Sequence, residues 1–254
     1  MPLRQAPVDQ FNRDGFLIVE NVFKPEQIET LRQRTEDIAN GVITTYPEAD
    51  IEYEPGADRQ RRLAAIRKLN HCDANDAIYC DAARNPGILD VIESLLGPDI
   101  KLESGQLFMK PPGGIEKTYH QDGPYFSLDP ISFVSAWIAV DDVTEENGCL
   151  RVIAGSHLLG PVSHSDVWMV GERRDMKIPE RFLDRSREVS IVMTAGSVSF
   201  HHSLVMHASG PNRSIHSRRG LAVHYISSKS RWTGEPGKKP AYQLLRGQEY
   251  AGCV

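Results

Sequence analysis

Three His-x-Asp triplets are the first feature of the sequence that could do chemistry. They occupy residues 71–73, 120–122 and 164–166. On an extended chain, residues i and i+2 point to the same side, and their Cα atoms lie roughly 6.6 Å apart at about 3.3 Å per residue. An imidazole and a carboxylate placed in this way can bind one divalent metal ion and leave other positions for a substrate. Because all three triplets satisfy this spacing, their context has to distinguish them.

The context favours the middle triplet as a metal site. The 71–73 triplet falls in a polar stretch before a predicted helix, where Asp73 or Asn75 can serve as a helix cap. The 164–166 triplet falls in an irregular segment and is interpreted as a surface pair. The 120–122 triplet lies between two predicted strands, after a Lys-Pro-Pro-Gly-Gly turn and before Gly-Pro-Tyr-Phe.

A third metal ligand and a cation are available in the C-terminal half. His201, His202 and His207 lie on or just after one predicted strand, and the pattern leaves each of them open as the third ligand. The next strand begins at Arg218 and Arg219. Alternation along a strand places these two arginines on opposite faces, and the pattern leaves open which of them points inward.

The elements that position these residues indicate an α+β fold that is mainly β. Short β-type runs after residue 100 are separated by turn signals and have no helical pattern between them. The predicted elements are a strand at 16–19, helices that begin at Pro25 and Pro86, and strands at 101–109, 133–140, 189–193, 197–203 and 219–226. The segments 41–62 and 159–187 lack a sustained period and are predicted to be a long loop and an insertion.

The composition is that of an ordinary globular protein. The chain has 254 residues, of which 40% are hydrophobic and 25% are charged, a size and balance that one domain can accommodate. With 29 basic and 34 acidic residues it lacks the basic surface that binds nucleic acid. The sequence shows no membrane-spanning run, no signal-peptide pattern and no paired cysteine spacing. We therefore expect a cytoplasmic protein with free thiols that binds neither nucleic acid nor a membrane.

Three ordered motifs resemble the phytanoyl-CoA dioxygenase family. They are His120-Gln-Asp122, the segment 137–157 (WIAVDDVTEENGCLRVIAGSH) and the segment 207–214 (HASGPNRS). The resemblance extends from about Phe11 to about Tyr225. Members of this family are non-haem iron(II), 2-oxoglutarate-dependent oxygenases. Their fold is a double-stranded β-helix, a jelly-roll or cupin-like barrel with N-terminal flanking helices.

The resemblance implies a metal site and a reaction. Iron(II) is expected on His120, Asp122 and His207, which are then also the catalytic residues, and two imidazoles with one carboxylate leave positions for 2-oxoglutarate and dioxygen. The implied reaction is hydroxylation of a small-molecule metabolite with release of succinate and CO2. The carboxylate of Asp122 argues against halogenation, because related halogenating enzymes have a small residue at that position. The resemblance leaves desaturation and ring formation open as alternative reactions.

The resemblance also implies contacts to 2-oxoglutarate. The family arginine lies eleven residues after the last metal ligand, which places Arg218 on the distal carboxylate of 2-oxoglutarate. Its planar guanidinium can bind that carboxylate through two parallel hydrogen bonds. Ser209 matches a hydroxyl that assists it. Trp137, Gln106 and Lys68 are further cofactor contacts suggested by approximate alignment.

The domain organisation implied is a single dioxygenase domain over residues 1–254. It comprises a helical part at about 1–100, a barrel at about 101–230 and a C-terminal tail at 231–254. Two other function classes remain open, namely a protein that binds the metal and 2-oxoglutarate without turnover, and a zinc-dependent hydrolase with the same ligands. A hydrolase has no need of an arginine for 2-oxoglutarate. The sequence identifies neither the substrate, nor whether it is a CoA ester, nor the oligomeric state.

Overall fold

The computed structural model describes residues 3–170 and 173–254. The predictions of an insertion at 159–187 and of a domain at 1–254 include residues outside these ranges. The helices are α1 (Gln5–Asp14), α2 (Pro25–Ala39), α3 (Cys72–Asn75), α4 (Ala77–Ala83) and α5 (Pro86–Leu96). The strands are β1 (Phe16–Val19), β2 (Ile51–Tyr53), β3 (Ile66–Leu69), β4 (Ile100–Lys110), β5 (Lys117–His120), β6 (Leu128–Asp129), β7 (Val134–Ala139), β8 (Leu150–Ile153), β9 (Asp166–Val170), β10 (Arg173–Lys177), β11 (Glu188–Ile191), β12 (Val198–His202), β13 (His207–Ser209), β14 (Arg218–Ser227), β15 (Arg231–Trp232) and β16 (Gln243–Arg246).

Two antiparallel sheets form a jelly-roll barrel, which confirms the predicted fold class. The larger sheet has the order β1-β12-β7-β14-β4-β3-β2, with β16 added to β4, and the smaller has the order β11-β8-β13-β5. Trp137 and Ala139 of the larger sheet share a buried cluster with Leu150 and Val152 of the smaller. The two sheets therefore face each other across one interior.

Strand alternation divides the larger sheet into a helix-covered face and an interior face. On β7, Val134, Ala136 and Ile138 belong to the cluster that packs against the helices. Ser135 and Trp137, one residue out of phase, face the interior of the barrel. Because side chains along a strand alternate between faces, the same strand supplies both the core and the walls of a cleft.

The predicted helices begin where the sequence indicated. Pro25 is the first residue of α2, and Ile28, Leu31 and Ile38 form its buried face. At α5 the Asn85 side chain accepts a hydrogen bond from the amide of Gly87 at 2.8 Å, so that it caps the first turn. No helix in residues 3–170 or 173–254 is long and apolar enough to cross a membrane.

The segment 41–62 is not a loop throughout, which corrects the prediction. Residues 51–53 form β2, an edge strand paired with β3. Edge strands commonly carry charged residues, and this composition hid the strand from the pattern. Likewise, 166–170 and 173–177 of the predicted insertion form two strands that pair antiparallel.

The helix cap predicted at Asp73 or Asn75 is also wrong. Asp76 caps α4, because its Oδ1 accepts a hydrogen bond from the amide of Ile78 at 2.9 Å. Asp73 instead accepts a hydrogen bond from the amide of Gly105 on β4 at 2.6 Å. The side chain of Asp73 thus ties α3 to the larger sheet.

The close approach of Trp137 to Gly220 generates a stability prediction. A Cβ at Gly220 would overlap the indole ring of Trp137. Gly220→Ala should therefore lower the free energy of unfolding by about 1–3 kcal/mol, the usual effect of overpacking. Gly210→Ala is the control, because its Cβ would meet no atom closer than 3.8 Å. Denaturant unfolding of both variants checks this, and equal stabilities would show that the ring moves aside freely.

Candidate metal centre

Three predicted ligands converge at the junction of two strands of the smaller sheet. His120 ends β5 and His207 begins β13, and the two are direct cross-strand partners. Asp122 follows β5, and its Oδ1 lies 3.6 Å from Nε2 of His120 and 3.5 Å from Nε2 of His207. Within the part of the chain that the structure describes, these three are the only His, Cys, Asp and Glu residues grouped closely enough to hold a metal ion.

Backbone carbonyls fix the orientation of both imidazoles. Nδ1 of His120 lies 2.8 Å from the carbonyl oxygen of Thr118, and Nδ1 of His207 lies 3.1 Å from that of Val205. A carbonyl only accepts, so each Nδ1 carries the proton and each Nε2 presents a lone pair. Burial lowers the pKa of both histidines, that of His120 well below its usual value. Both are therefore neutral and able to bind a metal near pH 7.

The carboxylate of Asp122 is held by its second oxygen. Oδ2 accepts a hydrogen bond from Ser135 Oγ at 2.9 Å and lies 3.6 Å from Nε2 of His201. The Ser135 hydroxyl is itself 2.8 Å from Nδ1 of His224. Burial alone would raise the pKa of Asp122, but the neighbouring His207 and His201 hold it well below its usual range. Asp122 is thus ionised, with Oδ1 left for a cation.

A second buried group lies deeper in the same cleft. Arg218 is 2% exposed, and its guanidinium stands 5.1 Å from the centroid of the Trp137 ring. Its Nη2 donates to the carbonyl of Gly148 at 3.2 Å, whereas its buried Nε has no hydrogen-bond partner among the described residues. Burial lowers the pKa of Arg218 to about 10. Beside it, Lys110 Nζ donates to Ser209 Oγ at 2.8 Å.

All eight residues selected from the sequence line one cleft of about 450 Å³. These residues are Lys68, Gln106, His120, Asp122, Trp137, His207, Ser209 and Arg218. Lys68, near the mouth, has its Nζ 3.5 Å from Oε2 of Glu52. Gln106 lies on β4 opposite Ala222 of β14. One cavity therefore combines a cation-binding group of side chains, a buried guanidinium and a polar mouth.

Comparison with known proteins decides the family. The family model for phytanoyl-CoA dioxygenase (PhyH) matches residues 11–220. The chain belongs to the phytanoyl-CoA dioxygenase family. It is accordingly an iron(II)- and 2-oxoglutarate-dependent dioxygenase, as the resemblance implied.

Individual relatives agree with this family assignment. Peroxisomal phytanoyl-CoA dioxygenase of Rattus norvegicus is 28% identical over 239 residues, covering 89% of this chain and 69% of the rat protein. A probable alpha-ketoglutarate-dependent hypophosphite dioxygenase of Stutzerimonas stutzeri is 26% identical over 222 residues, covering 84% and 75%. The structure of ThoJ, a non-haem monooxygenase, superimposes with a TM-score of 0.75 at 26% identity, covering 97% of this chain and 86% of ThoJ.

The other two His-x-Asp triplets of this phytanoyl-CoA dioxygenase family member do not join the group of three ligands. His71 is largely exposed, and its Nε2 is 3.9 Å from Oδ1 of Asp50. His164 is not part of a surface pair, which corrects the interpretation: it is half-buried, and its Nε2 accepts a hydrogen bond from the amide of Gln121 at 3.1 Å. It supports the segment that carries Asp122 without joining the group of three.

Sequence reasoning missed three residues that the structure places around this site, namely Ser135, His224 and Lys110. His224 had a readable signal, because it alternates with Arg218 on one face of β14. Ser135 and Lys110 had none, since their contacts depend on the register between strands. His201, which the strand pattern left open as a third ligand, lies beside Asp122, with its Nε2 3.6 Å from Oδ2.

Proposed function

We propose that this family member hydroxylates a small molecule, with iron(II) on His120, Asp122 and His207 and the distal carboxylate of 2-oxoglutarate on Arg218. The observation that supports this most is one cleft containing both an ionised carboxylate between two neutral imidazoles and a buried guanidinium. The guanidinium of Arg218 donates a hydrogen bond to the neutral carbonyl group of Gly148. The Asp122 end of the cleft is therefore suited to a cation, and the Arg218 end is suited to an anion.

The three proposed ligands fit iron(II). Two imidazoles and one carboxylate are a donor set that suits this metal and leaves positions for a bidentate co-substrate and dioxygen. The Ser135 hydroxyl occupies Oδ2 of Asp122, so that Oδ1 is the oxygen available to the metal. Such supporting hydrogen bonds fix the orientation of a ligand before the metal arrives.

The deeper end of the cleft fits a carboxylate. A buried cation without a counterion is unfavourable, and Arg218 keeps an unpartnered Nε among the described residues. Its rigid fork matches the two oxygens of a carboxylate. Ser209, 8% exposed and part of the same wall, adds a hydroxyl. These features support Arg218 and Ser209 as the residues that hold the distal carboxylate.

The positions of the residues in the cleft suggest a role for each of them in the proposed reaction. When bound, iron(II) with 2-oxoglutarate and dioxygen supplies the oxidising power for hydroxylation, and 2-oxoglutarate leaves as succinate and CO2. Arg218 and Ser209 anchor the far end of the co-substrate, so that its 2-oxo acid end reaches the three ligands. Trp137, 3% exposed, stands against the guanidinium and excludes water from it. His120 and Asp122 need not lose a proton on binding the metal.

The rest of the cleft lining supports a small polar substrate. It carries charges of both signs and aromatic side chains: Glu52, Glu54, Arg67, Lys68, Lys117, Asp175, Tyr125 and Phe126. Relatives carry names that refer to substrates as unlike as phytanoyl-CoA and hypophosphite. Family membership therefore does not select the substrate. A turnover screen with iron(II), ascorbate and a metabolite panel, read by succinate formation, tests the proposal.

The same screen distinguishes hydroxylation from the two function classes that the sequence alone left open. A protein that binds the metal and 2-oxoglutarate without turnover would release no succinate, whether or not a primary substrate is present. A zinc-dependent hydrolase would not bind 2-oxoglutarate through Arg218. Iron(II) with bound 2-oxoglutarate should give a weak visible absorption band under anaerobic conditions, which zinc cannot give.

Replacement of Asp122 tests the metal assignment. Asp122→Ala should weaken iron(II) binding by more than about 100-fold, since loss of a supporting residue alone costs about 10- to 100-fold. Hydroxylation should be abolished, while the variant remains folded because the barrel core does not include the metal ligands. Anaerobic iron(II) titration and circular dichroism measure the two effects.

Asp166→Ala is the matched control, because it removes the carboxylate of another His-x-Asp triplet. It should bind iron(II) as the unmodified protein does. If Asp122→Ala does not fold, the metal has a structural role. If Asp166→Ala loses the metal, the wrong triplet has been assigned.

Replacement of Arg218 tests the co-substrate assignment. Arg218→Ala should weaken 2-oxoglutarate binding by about 2–5 kcal/mol, because truncation leaves a charge unpaired in a buried site. Arg218→Lys keeps the charge but loses the planar fork, so an intermediate loss is expected. The dissociation constant of 2-oxoglutarate, measured anaerobically on the iron(II) protein, gives both values.

Arg219→Ala is the neighbouring control. Arg219 points to the opposite face, where its guanidinium bonds Asp141 at 2.8 Å and Glu36 at 3.1 Å. Its loss should lower thermal stability and leave the dissociation constant of 2-oxoglutarate unchanged. An effect on binding as large as that of Arg218→Ala would move the co-substrate to the other face of β14.

A further inference from the structure

His224 lies on the interior face of β14 beside the proposed metal site but is not one of its ligands. It is a direct cross-strand partner of Ser135 on β7. The Ser135 hydroxyl lies 2.8 Å from Nδ1 of His224 and 2.9 Å from Oδ2 of Asp122. Two hydrogen bonds therefore connect the His224 ring to a proposed metal ligand. His224 also lines the cleft, and the proposed function gives it no role.

The hydrogen bonds of Ser135 determine which ring nitrogen of His224 carries the proton. The ionised carboxylate of Asp122 only accepts, so the single hydroxyl hydrogen of Ser135 is donated to it. The Ser135 oxygen must then accept a hydrogen bond from Nδ1 of His224. Burial lowers the pKa of His224 to about 4, so the ring is neutral near pH 7. With the proton on Nδ1, the Nε2 atom carries a lone pair and is a hydrogen-bond acceptor.

No hydrogen bond to Nε2 of His224 is found within residues 3–170 and 173–254. Two aromatic rings pack near the imidazole, with the centroid of Phe126 at 5.1 Å and that of Phe133 at 5.7 Å. Neither ring offers a polar donor to the lone pair, and buried polar atoms are normally hydrogen-bonded. Unlike Nδ1 of His201, Nε2 of His224 is not sealed from the cleft. A molecule in the cleft can therefore donate a hydrogen bond to it.

The charges around His224 favour a neutral donor. Asp122 is the strongest negative influence on the ring, and a metal ion bound to Asp122 would compensate that charge. Lys68, whose Nζ is 3.5 Å from Oε2 of Glu52, acts on the ring as a positive group. An ammonium group at Nε2 would therefore gain little electrostatic attraction, while burial would remove its hydration. A hydroxyl or an amide N–H donates a hydrogen bond without adding a charge.

We propose that His224 is a substrate-binding residue, whose Nε2 accepts a hydrogen bond from a hydroxyl or amide N–H of the primary substrate. This inference rests on the proposed function and names the chemical group of the substrate that the cleft recognises. The two hydrogen bonds through Ser135 place this contact next to the proposed metal site. The donor group therefore lies close to the carbon atom that is hydroxylated. His224 selects the substrate, whereas Arg218 binds the co-substrate.

Two substitutions separate the substrate contact from the bond to Ser135. In His224→Asn the amide nitrogen takes the place of Nδ1 and can still donate to Ser135, whereas the acceptor at Nε2 is lost. In His224→Gln the longer side chain places an amide oxygen near the position of Nε2, whereas the donor to Ser135 is lost. The probes are the metabolite that gives the most succinate in the turnover screen and its O-methyl or N-methyl derivative, which lacks the donor.

The two variants should differ in their kinetics. His224→Asn should lower kcat/KM for the metabolite about 10- to 100-fold, mainly by raising KM, because the donor of the bound substrate is left without a partner. It should leave the anaerobic dissociation constant of 2-oxoglutarate within about two-fold. His224→Gln should keep kcat/KM within about five-fold. The methylated derivative should be a poor substrate of the unmodified protein, and His224→Asn should not weaken its turnover further.

His157→Asn is the matched control. His157 is also a buried histidine, 9% exposed, but it lies outside the cleft, and its Nε2 is 3.1 Å from the carbonyl oxygen of Asn12. Its replacement should leave kcat/KM for the metabolite and the dissociation constant of 2-oxoglutarate within about two-fold.

Nuclear magnetic resonance of the ring nitrogens gives a readout that needs no turnover. The sample is the full chain with 15N-labelled histidine, loaded with zinc(II) and 2-oxoglutarate, and His224→Asn identifies the His224 signals. Nε2 should have the chemical shift of an unprotonated nitrogen, and Nδ1 that of a protonated one. Addition of the metabolite should shift the Nε2 signal toward the protonated range, as a hydrogen bond to the lone pair does. The methylated derivative should leave it in place.

The outcomes separate this inference from the proposed function. A protonated Nε2, a metabolite without a hydroxyl or N–H donor, or a larger loss in His224→Gln than in His224→Asn would overturn the role of His224. If His224→Asn does not fold, the methylated derivative and the Nε2 shift on the unmodified protein decide the question. If Arg218→Ala bound 2-oxoglutarate as the unmodified protein does, the proposed function itself would fail. Turnover that depends on Arg218 but is retained in both His224 variants would overturn this inference alone.

Discussion

Burial of unpaired charge is the constraint on which the interior of this barrel depends. Asp122 is an ionised carboxylate at one end of the cleft, and Arg218 is a guanidinium at the other. Each is unfavourable in a dry interior without a counterion. A divalent cation satisfies the first and a carboxylate satisfies the second. One cleft therefore contains a buried negative charge and a buried positive charge, and these two charges are the basis of the proposed metal and co-substrate sites.

The rest of the fold makes this interior rigid. Leu221, Val223 and Tyr225 on β14 pack against the helices, and the Tyr225 hydroxyl donates to the carbonyl of Ala83 at 2.7 Å. The residues between them, including Ala222 and His224, face the cleft. Because one strand carries both sets, a shift of the core would displace the wall of the site. The same strands therefore determine both the stability of the barrel and the positions of the residues that line the cleft.

Local sequence patterns predicted most of the helices and strands. They did not predict the contacts that depend on the register between strands. Helices α2 and α5 and the strands β4, β7 and β14 were readable from proline, capping residues and alternation. The edge strand β2 was not, because its charged composition resembles a loop. The spacing left three histidines open as the third ligand, and the pairing of His207 with His120 across two strands places His207 at Oδ1 of Asp122, whereas His201 lies at Oδ2. Long-range pairing has no local signature.

The three His-x-Asp triplets show why spacing alone does not make a metal site. Both histidines of the proposed site carry a carbonyl two residues earlier in the chain, on Thr118 and Val205, which fixes the proton on Nδ1. This local hydrogen bond orients each ring, but it does not bring a second imidazole to the site. In the 71–73 triplet the carboxylate of Asp73 accepts a hydrogen bond from a backbone amide. In the 164–166 triplet the imidazole of His164 accepts a hydrogen bond from another backbone amide. A metal site forms where the ring nitrogens remain unoccupied and a partner strand delivers the third ligand.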